Sequence, residues 1–324
     1  MNIEVSLGLW QDRPAEEVVG TALIADACGY PAVWIGEMAT YDAFALATSV
    51  GARMSAAALV LGPLPVSVRD PMMIAMGAAS VAALTGRPVS VALGTSSVVL
   101  VEQWHGRSRT GAARTLAETA EAIRPLLAGE RSDFTGAAVR SRGYRLRLPA
   151  PAGGLVIAAF GPAAIETAAR YADRMVVNLV SPQMAGELAA SVRAAADRLG
   201  RPAPRVAAWI PAAVDAGAAA IDQVRRGAVA YLAAPGYAEM FERAGFGEVV
   251  AYARTRPHPR DLLAAVPDDL VRAVGAFGDA AEVAGRLRAY AEAGIDDLVI
   301  VPSATDADPA AEHTLRTLAP AAGR

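Results

Sequence analysis

A closed barrel of eight parallel strands wrapped by helices, (β/α)8, is the fold this sequence predicts, and three observations predict it. Short apolar runs alternate with helical patterns along the whole chain, the signature of βα units on a parallel sheet. The strand candidates (VWI, ALVL, VSVAL, LVIAA, LVIV) are apolar at every position, as strands covered on both faces are. The length, 324 residues, holds one barrel of about 250 residues plus insertions. A doubly wound sheet would place a glycine-rich turn after the first strand; here the chain reads Trp10-Gln11-Asp12-Arg13-Pro14.

The elements follow in order. Ile3–Leu9 is the first strand. Asp12 and Pro14 read as an N-cap and first-turn proline, with Glu16 and Glu17 favoured by the helix dipole. That helix ends at Gly29, suited to the left-handed position after a helix. Ala32–Ile35 is a strand, Asp42–Met54 a helix and Ala57–Leu61 a strand. Asp70-Pro71 opens a helix ending near Leu84, and Val89–Leu93 is the fourth strand. Arg109–Leu127 is a long helix, followed by a polar hairpin inside an insertion of about 131–149. Val156–Ala159, Met175–Leu179 and Val206–Val214 are strands, alternating with helices at Pro162–Ala172, Pro182–Leu199 and Ile221–Leu232. An irregular insertion occupies about 235–277. Ala280–Ala293 is a helix, Leu298–Val301 the eighth strand and Pro309–Leu318 the terminal helix, so residues 1–324 form one domain.

Composition excludes several classes of function. Hydrophobic residues make up 54% and charged residues 19%, which supports a sizeable core and argues against disorder. A net charge of −3 gives no electrostatic footprint for nucleic acid. There is no lysine, so all 30 basic residues are arginine; Schiff-base chemistry and a P-loop lysine are excluded. A single cysteine, Cys28, and three scattered histidines (His105, His258, His313) make no metal-ligand set. The first residues lack a basic leader, and no apolar run is long enough to span a bilayer, so a cytoplasmic protein is expected.

In a barrel of this kind, chemistry sits in the loops after the strands. Three stretches stand out there. Leu61-Gly62-Pro63-Leu64-Pro65 puts two prolines just past the third strand, where a ladder must be interrupted, and an X–Pro bond is the place where a cis peptide is inexpensive. Ala159-Phe160-Gly161 runs from strand to helix start, where free N–H groups can face a phosphate. Ala25–Glu37 reads as helix, glycine stop, strand and acidic loop.

Six segments in order resemble the luciferase-like monooxygenase superfamily: Ala25–Glu37, Gly62–Pro71, Ala92–Thr95, Glu118 to Glu130, Leu155–Pro162 with Ala169–Val176, and Phe277–Leu298. The superfamily includes bacterial luciferase, flavin monooxygenases and oxidoreductases that use the deazaflavin F420. The resemblance spans nearly the whole chain and implies a TIM-like barrel of the bacterial luciferase type with insertions. It also implies a homodimer, and the apolar stretch Phe44–Val50 would suit the interface. On this likeness a cis Gly62–Pro63 bond would back the cofactor ring. Leu61, Gly62, Pro63, Gly94, Thr95 and Ser96 would line the ring, and Ala159, Phe160, Gly161, Asn178 and Leu179 would hold the phosphate.

The departures narrow the activity. The sugar-phosphate dehydrogenase branch has an acidic residue followed by His after the second strand; this chain has Glu37-Met38. That branch's catalytic Glu falls at Ser97, and its phosphate-binding lysines have no counterpart. The resemblance therefore implies an F420-dependent oxidoreductase transferring a hydride to or from a small organic substrate. The first alternative is a monooxygenase using reduced FMN from a partner reductase. The second is a barrel that binds a flavin or another ligand without catalysis. The alanine and arginine excess has the stamp of GC-rich coding, as in actinobacteria, which commonly make F420. Glu37, His105 and Ser97 are the candidate catalytic side chains, and Trp10, Met38, Tyr41 and Trp209 the candidate substrate wall.

Overall fold

In order, the elements of the computed structural model, which describes residues 2–37 and 40–320, begin with β1 (Asn2–Ser6), α1 (Glu17–Ala27), β2 (Ala32–Ile35) and α2 (Ala43–Gly51). β3 (Ala58–Pro65), α3 (Pro71–Thr85), β4 (Val89–Gly94) and α4 (Ala112–Leu127) follow. The hairpin β5 (Asp133–Thr135) and β6 (Arg140–Arg142) precedes β7 (Ala152–Ala158). Then come α5 (Pro162–Tyr171), β8 (Arg174–Asn178), α6 (Pro182–Arg198), β9 (Arg205–Val214) and α7 (Ala218–Val229).

Four short helices occupy the second insertion: α8 (Tyr237–Phe241), α9 (Gly247–Arg254), α10 (Pro259–Ala265) and α11 (Asp268–Val274). β10 (Ala276–Gly278), α12 (Ala280–Glu292), β11 (Asp297–Pro302) and α13 (Glu312–Thr317) complete the chain.

Eight parallel strands close in the order β1-β2-β3-β4-β7-β8-β9-β11, with β11 pairing back to β1 and β8 to β9. Short β10 adds to the far end of β9, Ala276 opposite Ala212. Alternation along the strands sends one set of side chains into the lumen. Trp34, Val60, Ala92, Val156, Val176, Ala207 and Val299 fill its middle. At its base the buried carboxylates of Glu4 and Asp297 are held by Arg174, and Asp297 by Arg205 as well. The other face of the strands packs beneath the helices in one large apolar cluster.

Side-chain caps explain several of the helix starts. Asp42 accepts the N–H groups of Phe44 and Ala45, Asp70 that of Met73, and Ser181 that of Met184. Gly29 stands at φ +82 just past α1.

Three expectations need correction. α1 starts at Glu17, not behind Asp12; the Asp12 carboxylate is taken by Gln223 and Arg226 of α7 instead of by its own backbone. β3 does not stop at Leu61. A bulge between Leu61 and Leu64 absorbs Gly62-Pro63, and the ladder resumes with Leu64 opposite Leu93 and Pro65 opposite Gly94. Pro63 falls in the gap, where a missing N–H breaks no bond. Residues 235–277 are mostly helical rather than irregular, because Phe241, Val249, Val250, Leu262, Leu270 and Val271 bury apolar surface at helical spacing between glycine and proline breaks.

Candidate active site

The C-terminal ends of the strands form a mouth whose two halves differ. Sheet order makes β3, β4, β7 and β8 consecutive. The residues expected to hold the cofactor therefore form one continuous arc: Leu61–Pro63, Gly94–Ser96, Ala159–Gly161 and Asn178–Leu179. The other half, β9-β11-β1-β2, carries Trp209 together with Trp10 and Tyr41 in the loops that follow.

The Gly62–Pro63 peptide bond is cis, as expected, and Gly62 stands at φ +116. A Cβ on Gly62 would collide with the Ala92 carbonyl, and one on Gly94 would lie 3.0 Å from Pro63 Cβ. This segment is therefore packed tightly against β4. Four non-glycine residues at positive φ, Leu9, Ser96, Leu179 and Asp215, lie just beyond strands at the mouth, where backbone strain concentrates at functional sites.

At the lumen top, Trp209 meets Trp34 edge to face, ring centroids 5.8 Å apart. A Cβ on Gly36 would lie 3.7 Å from the Trp209 ring, and one on Gly94 3.6 Å from the Ala158 Cβ, so the neighbouring strand ends carry small residues. Ser6 Oγ, Trp209 Nε1 and Ser303 Oγ are buried there without hydrogen-bond partners, an arrangement that apolar packing alone leaves unexplained.

The candidate polar residues occupy different settings. Glu37 accepts both carboxylate bonds from Arg69 Nε, 3.0 and 2.8 Å, so it is an ion-paired rim residue. Ser97 Oγ accepts the Leu100 N–H at 3.2 Å, opening a π-helical turn over Val99–Trp104. His105 ends that turn, exposed, its ring without a hydrogen-bond partner among the described residues. His258 caps α10, and His313 Nε2 lies 2.9 Å from Asp215. The histidines thus stand at three separate places.

Trp10 donates its indole N–H to the Pro302 carbonyl at 2.9 Å, which fixes the ring beside β11. Tyr41 packs half-buried against the core. Met38 lies outside the described residues. On the other arc, Phe160 stacks on Tyr237 at 4.3 Å, and Tyr237 on Tyr231 at 4.7 Å. Burial pushes the Tyr237 phenol well above its ordinary range, with Asn178 as its hydrogen-bonding neighbour.

Residues 3–297 match the family model for the luciferase-like monooxygenases. The chain belongs to the luciferase-like monooxygenase family. Among curated relatives, a Mycobacterium tuberculosis protein provisionally named a coenzyme F420-dependent oxidoreductase is 24% identical, covering 94% of this chain and 96% of that protein. Solved structures of luciferase-like folds superpose over most of the chain. Coenzyme F420 dependent tetrahydromethanopterin reductase from Methanopyrus kandleri has a TM-score of 0.83 at 18% identity, over 98% of each chain. The oxygenating component of 3,6-diketocamphane monooxygenase from Pseudomonas putida, solved with FMN, has a TM-score of 0.71 at 15% identity, over 98% of this chain and 96% of that one. As a family member, the chain is an enzyme of the oxidoreductase/monooxygenase class.

Sequence reasoning missed two rim residues of this luciferase-like site. In the sequence Arg69 lies inside the family-like segment Gly62–Pro71 without an assigned role, and Arg109 reads as a helix start. In the structure Arg69 grips Glu37 and Asp42. Arg109 bonds the Ser96 carbonyl at 2.9 Å and Thr95 Oγ1 at 3.2 Å. Arg69 was the arginine of the matched Gly62–Pro71 segment; for Arg109 the only signal was its position after β4.

Proposed function

We propose that this enzyme is an F420-dependent oxidoreductase, transferring a hydride between the deazaflavin and a small organic molecule. One observation carries the reading: the bulge at Gly62–Pro63, packed tightly against β4 at the mouth, would back a flat ring, in a family member whose curated relative bears an F420-dependent name. When bound, the deazaflavin supplies the hydride-carrying carbon, and the protein supplies position, electrostatics and exclusion of water.

The residues present fit that group. Leu61–Pro63 and Gly94–Ser96 would line the ring. At the start of α5, Gly161 contributes no side-chain cap, which leaves first-turn N–H groups available to a phosphate. Trp10, Tyr41 and Trp209 would confine the substrate.

A second reading has its own support. The Pseudomonas putida structure holds FMN in the same fold, so a monooxygenase fed reduced FMN by a reductase partner is the competing assignment. Titration of the purified protein with F420 and, separately, with FMN, followed by tryptophan quenching, decides between them. Tighter F420 binding supports the oxidoreductase. Tighter FMN binding makes it the oxygenating half of a two-component system. Binding of neither leaves a ligand-binding barrel.

The same reading includes a cytoplasmic homodimer. No helix among the described residues is long and apolar enough to cross a membrane. The expected interface stretch Phe44–Val50 turns inward, Phe44 lying over Gly77. The outward apolar face belongs to α3, which has no charged residue and exposes Met72, Met73, Met76 and Leu84. Sedimentation should give a dimer for the wild type and a monomer for Met76→Glu.

A further inference from the structure

The seam between the two arcs of the mouth is closed by a charge cluster that faces neither arc as a free group. Arg69, after β3, grips Glu37 at the end of β2 through Nε and Nη2, and Nη2 also reaches Asp42. The other Asp42 oxygen is committed to the α2 backbone, accepting Phe44 and Ala45 N–H at 3.0 Å each. The guanidinium lies over the Phe44 ring, 4.8 Å from its centroid. The Glu37 and Arg69 side chains are only 13% and 20% exposed, so the pair is screened weakly by solvent. One cation against two carboxylates leaves the seam net negative. Burial alone would raise the Asp42 carboxyl, but its backbone bonds and Arg69 hold it below the ordinary range, so it stays ionised at neutral pH.

Other arginines in the loops and helices around the mouth are committed in the same way. Arg13 is held by Glu17 and Asp306, and Arg226 by Asp12. Arg109 is spent on Thr95 and Ser96. Arg107 has no hydrogen-bonded partner among the described residues, but it is exposed beyond the π-helical turn, where a charge contributes little to binding.

The geometry points to Glu37 as a specificity-determining residue: by holding Arg69 against itself and Asp42, it makes this site select uncharged organic molecules and turn away carboxylates. This rests on the assignment of the mouth as the substrate site. A carboxylate approaching the seam meets net negative charge and a guanidinium whose Nε and Nη2 are already taken by Glu37 and Asp42. Once Glu37 is neutral, the Arg69 fork is released to grip an anion in its place.

The test is ligand-observed NMR on the cofactor-loaded protein with a set of cyclic and aromatic carboxylic acids and their methyl esters. Wild type should bind esters at least about tenfold more tightly than the matched acids, and Glu37→Gln should shift that ratio toward the acids by about tenfold or more. The double variant Glu37→Gln/Arg69→Met should lose the shift, which assigns it to the released guanidinium. Asp42→Asn keeps the bidentate pair and should move the ratio a smaller distance in the same direction, so the idea stays testable should Glu37→Gln fail to fold. Failure of wild type to prefer any ester over its acid overturns the proposal, as does an unchanged ratio in folded Glu37→Gln. Titration of F420 and FMN into the same proteins separates this outcome from failure of the cofactor assignment: retained cofactor binding with unchanged selectivity sinks only the role of Glu37.

Discussion

Arg174, on β8, reaches across the base of the barrel lumen to the Glu4 carboxylate on β1, Nη1 lying 2.9 Å from Oε2. Trp34 donates its indole N–H to the same oxygen at 2.5 Å, and Arg174 Nε stands 3.3 Å from Asp297. Arg174 therefore bridges two buried carboxylates, Asp297 being held by Arg205 as well, and closes the end of the barrel opposite the mouth. Arg174→Met removes the bridging cation and leaves Glu4 without an ionic partner in a dry interior, while Asp297 keeps Arg205. Unpairing buried charges costs about 3–5 kcal/mol. Chemical denaturation should show a loss in that range for Arg174→Met. The double variant Glu4→Gln/Arg174→Met should recover part of it.

Asp26 offers a pH-dependent counterpart. Burial would raise its carboxyl, but the N–H groups of Ala57, Ser55 and Ala56 and the Ser55 hydroxyl outweigh that and bring it to about 2. The folded state binds the proton less readily than the unfolded chain, whose Asp titrates near about 3.9. The stabilisation is therefore complete above pH 4 and fades as the pH falls toward 2. Asp26→Asn, whose amide would point a donor at donors, should cost about 2 kcal/mol at pH 7. The gap to wild type should narrow in melts taken between pH 4 and 2; a constant gap would show that the charge is irrelevant.

Gly62 and Gly161 both lie on the cofactor arc, yet they predict opposite behaviour. At Gly62 a side chain meets the Ala92 carbonyl, and φ is +116. Gly62→Ala should lose about 2 kcal/mol or more and abolish cofactor binding in the quenching titration. A Cβ on Gly161 has open space and an ordinary backbone, φ −81. Gly161→Ala should hold its stability within about 0.5 kcal/mol. Equal tolerance at both sites would refute the packing argument.

How much of this was legible in the sequence depended on whether the signal was local. The caps at Asp42 and Asp70 and the stop at Gly29 are decided by neighbours a few residues away, whereas the cis bond at Gly62–Pro63 came with the family resemblance. The apolar strands, and with them the barrel, are decided locally too. Asp12 was misread because its partners, Gln223 and Arg226, lie over 200 positions along the chain. The lumen base escaped for the same reason: Glu4, Arg174, Arg205 and Asp297 stand on four different strands, and each alone resembles a polar strand end. The second insertion read as irregular because glycines and prolines break its helical period every few residues. At the site, the proposed cofactor residues came from the family resemblance, whereas the bonds of Arg69 and Arg109 became visible only once the loops were side by side.

Arg109 makes the cofactor arc testable from outside the arc itself. It starts the approach to α4, yet its side chain returns to the loop after β4, bonding Ser96 O and Thr95 Oγ1. Ser96 stands at φ +56, a conformation that needs its surroundings to hold it. Losing these two partly exposed bonds should cost no more than about 1 kcal/mol of stability in Arg109→Met. Cofactor affinity should fall further, about tenfold, because binding would then have to order a loosened loop. Arg109→Lys keeps the charge but not the fork, so it should fall between the two. Parallel melting and quenching titrations make the comparison. A large loss of stability with unchanged affinity would place Arg109 in the scaffold and remove the β4 loop from the cofactor arc.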